Sequence, residues 1–402
     1  RHRFDRKNYF YPDLPKAYQV SQLYVPIGVN GRVSITTAAG EKDIRIHELH
    51  MEEDAGKLVH DPWIDQTRCD YNRCGVPLVE IVTEPDFRTA EEVVAYLEKL
   101  RSTLEYMGVS DCKMQEGSLR CDVNISVRKQ GEEKLGTRTE IKNMNSFAFI
   151  EKAVAYEMER QIDLIESGEP VVQETRRYND VDNVTESMRG KEDAHDYRYF
   201  REPDLVTIAT TEEEIEALRA TLPELPDARL NRYTQEWGIP AADAQLLVKY
   251  RRVAEYFEEA SQGVTPKTVS NFIIGQIFRR LSTDAEKENA DISVPAVNLR
   301  ELVALIDSGK LRMNMAKSTL EKMLDTGKPV SELVSEEDMK GVDDSALLEL
   351  CRQAVADNPG AAADYKAGKE KALKAILGAV MKATRGKADA VTAEKILLEL
   401  LK

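Results

Sequence analysis

Between Leu119 and Arg128 the chain reads LRCDVNISVR, in which Leu119, Cys121, Val123, Ile125 and Val127 alternate without a break with Arg120, Asp122, Asn124, Ser126 and Arg128. Side chains on a β-strand point in turn to opposite faces, whereas a helix would scatter both sets around its circumference. The segment is therefore read as a half-buried strand with one apolar and one wholly polar face. A turn-like KQGEEKLG follows, and TRTEIKN then places Arg138, Glu140 and Lys142 on one face of a second strand. Paired as a hairpin, the two strands bring carboxylates, cations and an amide to one surface. That mixture suits a nucleotide with its magnesium ion, because hard oxygen ligands hold the metal while Arg and Lys neutralise phosphate. It equally describes a solvated face laced with surface ion pairs, each worth about 0 to 1 kcal/mol.

The rest of the chain sets the frame for this hairpin. Its 402 residues exceed one ordinary domain, and no apolar run approaches the roughly 18 residues of a membrane span. Fifty-six Lys and Arg against 71 Asp and Glu give a net charge of -15, so on average the surface repels nucleic acid and anionic lipid, and an RNA partner must meet a local basic patch. Five cysteines, an odd and small number, argue for reduced thiols rather than a disulfide framework, and with them a cytoplasmic, bacterial setting. All five histidines and four of the cysteines fall before residue 206, together with the short Val/Ile/Thr runs of strands. From about Thr211 the pattern turns helical, with Glu-rich first turns and breaks at Pro223, Pro226, Pro240, Pro295 and Pro329. The fold class is α+β followed by all-α, and the expected domains are 1–206, 207–290 and 291–402. Two helices are anchored by their ends. Thr89 and Glu92 form a capping box before a stripe of Val93, Leu97, Leu100, Leu104 and Met107, and Gly108 stops that helix. Asn145 or Ser146 caps a second, with a stripe of Ile150, Val154, Met158, Ile162 and Ile165 and a stop at Gly168.

Acids also stand where acids are costly. Glu80 lies between Val79 and Ile81, where burial without a partner would force it neutral unless a metal or cation relieves it. In IRIHELHMEEDAGK, His47, His50, Glu52, Glu53 and Asp54 crowd together; HELH lacks the second histidine of a zinc-protease helix, and oxygen ligation by Glu53 is the reading taken. Cys69 and Cys74 lack a matching downstream pair, which argues against zinc. There is no GxxxxGK[ST], no GxGxxG after a strand and no GxSxG, so the common phosphate loops and the acyl-transfer elbow are excluded. The stretches Glu174–Asp180 and Ser187–Phe200 are dense in Arg, Asp and Tyr, able to grip phosphate, ribose or a terminal base, or to form an ordinary ion-paired loop.

The strings FDRKNYFYPDLPKAYQVSQ (Phe4 to Gln22), HMEEDAGKLVHD (His50 to Asp61), GVPLVEIVTEPD (Gly75 to Asp86), EGSLRCDVNISVR (Glu116 to Arg128) and TEIKNMNSF (Thr139 to Phe147) occur in this order, and with them the chain resembles the B-subunit family of bacterial and organellar aspartyl/glutamyl-tRNA amidotransferases. The resemblance implies a glutamine synthetase-like catalytic cradle, an open antiparallel sheet with helices, followed by helical and tail domains. It implies ATP- and Mg²⁺-dependent phosphorylation of the side-chain carboxylate on mischarged tRNA(Gln) or tRNA(Asn). Ammonia from the glutaminase, the A partner, then displaces the phosphate, and a small C partner belts the two together; neither DNA nor membrane is a partner. No protein nucleophile is needed, in keeping with the absence of one. On this reading Arg120, Asp122, Glu140 and Lys142 are the catalytic candidates, Asn124, Arg138, Arg189 and Lys191 contact the nucleotide, and Glu53, Glu80 and Asp122 hold the metal. The tail is expected to grip tRNA through Lys366, Lys369, Lys371, Lys374, Lys382, Arg385 and Lys387, with Glu370 the one acid among them.

Two departures from the family pattern and one point of agreement bear on this reading. The family opens with a segment like IGLEVHVQL, whose Glu and His serve the metal site; this chain begins downstream of it, and a tRNA- and partner-binding fragment without catalysis is the alternative. Arg201 replaces a usual proline. Pro203 leads almost directly into the helical half, without the large insertion of the archaeal E-type relatives, which favours the B family.

Overall fold

In the computed structural model, residues 1–61, 63–190, 196–335, 344–369, 371–384 and 388–401 are described. They form two compact units, Arg1–Pro223 and Glu224–Lys402. Strands of the first unit are β1 (Asp5–Asn8), β2 (Tyr18–Ser21), β3 (Gly28–Thr37), β4 (Gly40–Glu53), β5 (Lys57–His60), β6 (Thr67–Asp70), β7 (Pro77–Thr83), β8 (Val123–Ile125), β9 (Thr139–Lys142), β10 (Glu174–Asn179), β11 (Val184–Gly190) and β12 (Phe200–Arg201). They are arranged as β12-β1-β2, β3-β4-β7, β5-β6 and β11-β10-β9-β8. The last sheet is not purely antiparallel as expected: β9 and β10 run parallel, Glu140 opposite Thr175, because α2 (Phe147–Ser167) crosses between them.

Helix α1 (Ala90–Met107) starts where Thr89 accepts from the Glu92 amide and stops at Gly108 in the left-handed conformation, where Gly has no Cβ penalty. The Glu92 carboxylate takes the Arg88 amide at 2.6 Å and the Lys42 ammonium at 2.8 Å. Ser146, rather than Asn145, caps α2. The two helices and the sheets share one core of Ile35, Ile44, Tyr96, Leu97, Ile141, Ile150, Val154 and Tyr178.

Two expectations fail here for one reason. The buried face of α2 is Ile150, Ala153, Val154, Glu157 and Gln161, while Ile162 is exposed, because positions four apart drift around a 3.6-residue turn and polar groups with partners occupy the inner side. The long alternating strand survives as ladder only at Val123–Ile125, paired to Thr139–Ile141. Beyond it, the Gln161 side chain accepts from the Val127 amide at 3.1 Å and donates to the Ile125 carbonyl at 3.4 Å, in place of a strand neighbour. The alternation itself holds, with Asp122 and Asn124 exposed and Cys121, Val123 and Ile125 half-buried.

Glu157 is fully buried yet satisfied: Thr139 donates at 2.9 Å, Thr185 at 2.8 Å, and Arg160 grips both oxygens at 2.7 and 2.9 Å. Arg176 lies 3.3 Å away. Burial pushes this carboxyl up, but hydrogen bonds from Arg160, Gln161 and Thr185 outweigh it and hold the group below the usual carboxylate range.

The second unit is helical in every regular element among the described residues. Its larger part buries Tyr233, Leu247, Phe257, Phe272, Ile273, Ile277, Leu299 and Leu302, and Tyr233 stacks on Trp237 with centroids 5.1 Å apart. This packing continues across residue 290, since the helix Ala296–Asp307 lies on Arg251–Ala260 and on Met313–Thr326. A separate core of Leu347, Cys351, Leu373, Ile376, Val380 and Leu397 joins the last four helices, Asp344–Asp357, Pro359–Lys366, Lys371–Ala383 and Ala390–Leu400.

Glu157→Ala would remove the buried acid that Arg160 and Arg176 share and leave Glu174 as their one carboxylate partner among the described residues, and urea unfolding should show a loss of about 3–5 kcal/mol. Because the folded-state pKa is depressed, this stabilisation is present above the unfolded carboxylate pKa and is lost as pH falls. The gap between wild type and Glu157→Gln should therefore be widest near neutrality and close in acid.

Candidate active site

The densest chemistry lies where β4 meets β7. His50 stands directly opposite Glu80 in the antiparallel register, and Glu52, two residues further along β4, shares the face of His50. His50 Nε2 is 3.5 Å from Glu52 and 3.7 Å from Glu80, and one ligand atom from each residue falls within 4.8 Å of the others. Strands β1 and β2 roof the cluster. Ser21 donates to Glu52 at 2.8 Å, Gln19 donates to Glu52 at 3.0 Å and to the Glu53 carbonyl at 2.8 Å, and Lys7 Nζ stands 3.9 Å from Glu52.

The three groups share out their charge unequally. Glu52 is pushed up by burial, yet the pairing with His50, Lys7 and Ser21 wins and keeps it ionised below the usual range. Its carboxylate in turn raises His50 above an ordinary imidazole. Glu80 is raised, by partial burial first and then by the charges of Glu52 and Asp122. A crowd of acids in which one is driven toward neutrality would be relieved by a bound cation. His50 Nδ1 is buried without a hydrogen-bond partner, and Glu48, 3.2 Å away, is out of line for one. The donor set of one imidazole and two carboxylates is of a kind that could hold a divalent cation; oxygen alone suits Mg²⁺, and the imidazole also suits Mn²⁺.

Asp122 connects this cluster to the second sheet. It pairs with Lys142, which lies 3.5 Å from Glu140, and Thr175 donates to Glu140 at 3.0 Å. Burial pulls the Lys142 ammonium down, but Asp122 and Glu140 outweigh it and hold the group charged. Asn124 sits opposite Glu140 in the β8–β9 ladder. Tyrosines wall the cluster. Tyr9 packs edge-on to Tyr197 at 5.8 Å, Tyr197 packs edge-on to Tyr199 at 6.1 Å, and the Lys7 ammonium is 5.1 Å from the Tyr197 ring centre. The Tyr9 hydroxyl is pushed up to about 12 by burial and by the Glu52 charge, and Tyr199 is pushed up further for the same reasons, so both are neutral hydrogen-bonding groups at physiological pH.

The structure thus brings Asp122, Glu140, Lys142, Asn124 and Glu80 together and sends other expected residues elsewhere. Glu53 turns away, because neighbours on a strand face opposite sides: it is bound to Lys16 at 2.5 Å and to the Val20 amide at 3.3 Å. Glu52 takes the place assigned to it. Arg120 is committed to Asp54, with both carboxylate oxygens at 2.9 Å and Arg73 at 3.2 Å from the same acid. Glu80, expected between buried neighbours, has a half-exposed side chain, and its neighbour Val79 is itself 41% exposed. Arg138 is exposed just before β9. The backbone of Arg189 lies in β11 opposite Thr175. Lys191, Arg385 and Lys387 lie outside the described residues. In the tail, Lys366, Lys369, Lys371, Lys374 and Lys382 are exposed, Lys369 pairing with Asp364 at 2.9 Å. On the helix Lys371–Ala383 the lysines lie opposite the buried Leu373, Ile376 and Val380. His50, Glu52 and Glu80 each stand out in the sequence, but the choice of Glu52 over Glu53 does not. Lys7, Gln19, Ser21 and Tyr9 carried no local signal, whereas Tyr197 and Tyr199 fall in the Arg-, Asp- and Tyr-dense stretch Ser187–Phe200.

The model of the GatB/GatE catalytic domain matches residues 1–216, and that of the GatB domain matches residues 255–401. A protein of Agathobacter rectalis, named as the B subunit of aspartyl/glutamyl-tRNA(Asn/Gln) amidotransferase, is 52% identical over 401 residues, covering 99% of this chain and 84% of its own length. Proteins of the same name from Lachnospira eligens and Caldanaerobacter subterraneus are each 49% identical, covering 100% and 99% of this chain and 84% of their own length.

In an equilibrium titration with Mn²⁺, Glu52→Gln and His50→Ala should each weaken binding about 10-fold or more, and Glu53→Gln should leave it within about twofold.

Proposed function

The chain belongs to the GatB family, and from that premise we propose that its first unit uses ATP to activate the side-chain carboxylate of Glu-tRNA(Gln) or Asp-tRNA(Asn) and turns it into an amide. The observation that carries the reading is the His50–Glu52–Glu80 cluster, with Asp122, the partner of Lys142, near enough for its charge to raise Glu80. A carboxylate is a poor acyl donor because its leaving group is oxide. Its oxygen attacks the γ-phosphorus of ATP, ADP departs, and the acyl phosphate so formed has phosphate as leaving group. Ammonia attacks the acyl carbon, phosphate is expelled, and the amide remains.

His50, Glu52 and Glu80 would hold a divalent cation, which supplies charge neutralisation at the phosphates. The chain's own residues do the rest. Lys142, kept charged by Asp122 and Glu140, neutralises a transferring or departing phosphate oxygen. Asn124 offers a neutral amide on the same surface as Glu140, whose carboxylate the buried Thr175 hydroxyl holds in place. Tyr9, Tyr197 and Tyr199 wall the site from water and present ring faces to the aminoacyl end, Tyr9 and Tyr199 with neutral hydroxyls. In this reading the sheets are a glutamine synthetase-like cradle. The glutaminase partner (A) delivers ammonia from glutamine, the small C partner completes the heterotrimer, the assembly works in the cytoplasm, and the lysine face of the tail holds the body of the tRNA through its phosphates.

The test is Mg²⁺-dependent ADP release by this chain combined with the A and C partners. Release should rise when Glu-tRNA(Gln) is added and fall about 10²–10³-fold in Lys142→Met. Independence of the charged tRNA would overturn the reading. Charge reversal at Lys371 and Lys374 should weaken tRNA binding and lower the slope of log K against log salt by roughly 0.7 to 0.9 for each phosphate released.

A further inference from the structure

The β3–β4 hairpin carries a second polar surface that the catalytic cluster does not use. An open cleft of about 630 Å³ is lined by the cations Arg32, Lys42, Arg45 and Arg88 and by two acids, Asp43 and Asp86. In a chain of net charge -15 this local surplus is a reversal of sign.

The cations are not equivalent. Arg45 is locked fork-to-fork on Asp86 at 2.6 and 2.9 Å, and Lys42 is held by both oxygens of Glu92 at 2.8 and 2.9 Å. These two are neutralised and stiffen the wall. Arg88 is different: its Nη1 donates to the carbonyls of Pro85 at 2.8 Å and Phe87 at 2.7 Å, which orient the guanidinium without cancelling its charge. Among the described residues no carboxylate comes within 4 Å of it. Arg32 meets Asp43 only at 3.7 Å, and the Ser34 hydroxyl donates to the other Asp43 oxygen at 2.6 Å. Two exposed guanidinium groups, one oriented by main chain and one loosely paired, therefore flank a rigid polar floor. Planar forks of this kind match a phosphate, and the open, solvated shape suits a linear polyanion that passes across rather than a small ligand that must be enclosed.

We propose that this cleft binds the phosphodiester backbone of the RNA substrate, with Arg32 and Arg88 as the phosphate contacts. The inference rests on the tRNA reading above and adds to it a contact in the catalytic unit itself. Arg45 precedes His50 by five positions on β4, a reach of about 17 Å along the strand. An RNA whose aminoacylated end is at the cluster has its nearby backbone within that reach.

The probes are unfractionated, uncharged tRNA and ATP, titrated against the 402-residue chain. Arg32→Glu, Arg88→Glu and the double variant alter exposed side chains, and unchanged unfolding midpoints show that the fold is kept. With both guanidinium groups removed, the slope of log K against log salt for tRNA should fall by roughly 1.4 to 1.8, with ATP affinity unaltered. Asp43→Asn, which frees Arg32, should strengthen tRNA binding, a gain that damage to the fold would not produce. An unchanged tRNA slope in the double variant overturns the cleft while leaving the tRNA reading standing. Failure of the wild-type chain to bind tRNA in a salt-dependent way overturns both. Loss of ATP affinity with tRNA binding intact assigns the phosphate to the nucleotide and also overturns the proposal.

Discussion

Everything at the site depends on the register between β4 and β7. With His50 opposite Glu80, the two-residue repeat of a strand delivers Glu52 to the same face and sends Glu53 to the other. A slip of one residue would exchange them, placing the Lys16-bound acid in the cluster and turning Glu52 away from Ser21 and Gln19. The register is fixed by more than the ladder. Gln19 spans the Glu52 carboxylate and the Glu53 carbonyl, so a strand of another sheet measures the position of β4. Such cross-bracing is expected where three charged groups must be held closer than they would choose in water.

The two sheets meet through a graded series of charges. Glu52 is held ionised, Glu80 is lifted toward neutrality, and Asp122 is tied to a lysine that remains charged. The chain has thus assembled a surface with both an unmet demand for positive charge and a fixed source of it. Arg120, which sequence spacing assigned to chemistry, instead braces Asp54 at the end of β4. Its Nη2 reaches across 66 positions of chain to both Asp54 oxygens and ties the segment before β8 to the end of β4, where Arg73 also holds the Gly56 carbonyl.

Periodicity made much of this readable before any coordinates. The alternation around Asp122, the Glu140–Lys142 pair, the caps at Thr89 and Ser146 and the left-handed Gly108 and Gly168 all obey rules that act within a few residues. What could not be read is what depends on distant partners. Glu53 and Glu52 are neighbours with the same chemistry, and only Lys16 and Ser21 on other segments decide which faces the cluster. Glu157 and Gln161 broke the apolar stripe of α2 because their partners, Thr139, Arg176 and Thr185, come from three other strands. The break expected near residue 290 likewise gave way to helix packing that composition does not record.

Gln161 has a consequence beyond the shortness of β8. That strand lies at the margin of its sheet, where unclaimed amides and carbonyls would invite a foreign strand to extend the array. The helix answers them instead, taking one donor and one acceptor with a single amide side chain. The polar face of β8 can therefore stay open to ligands without the sheet staying open to other chains, and accessibility for chemistry is separated from liability to aggregation.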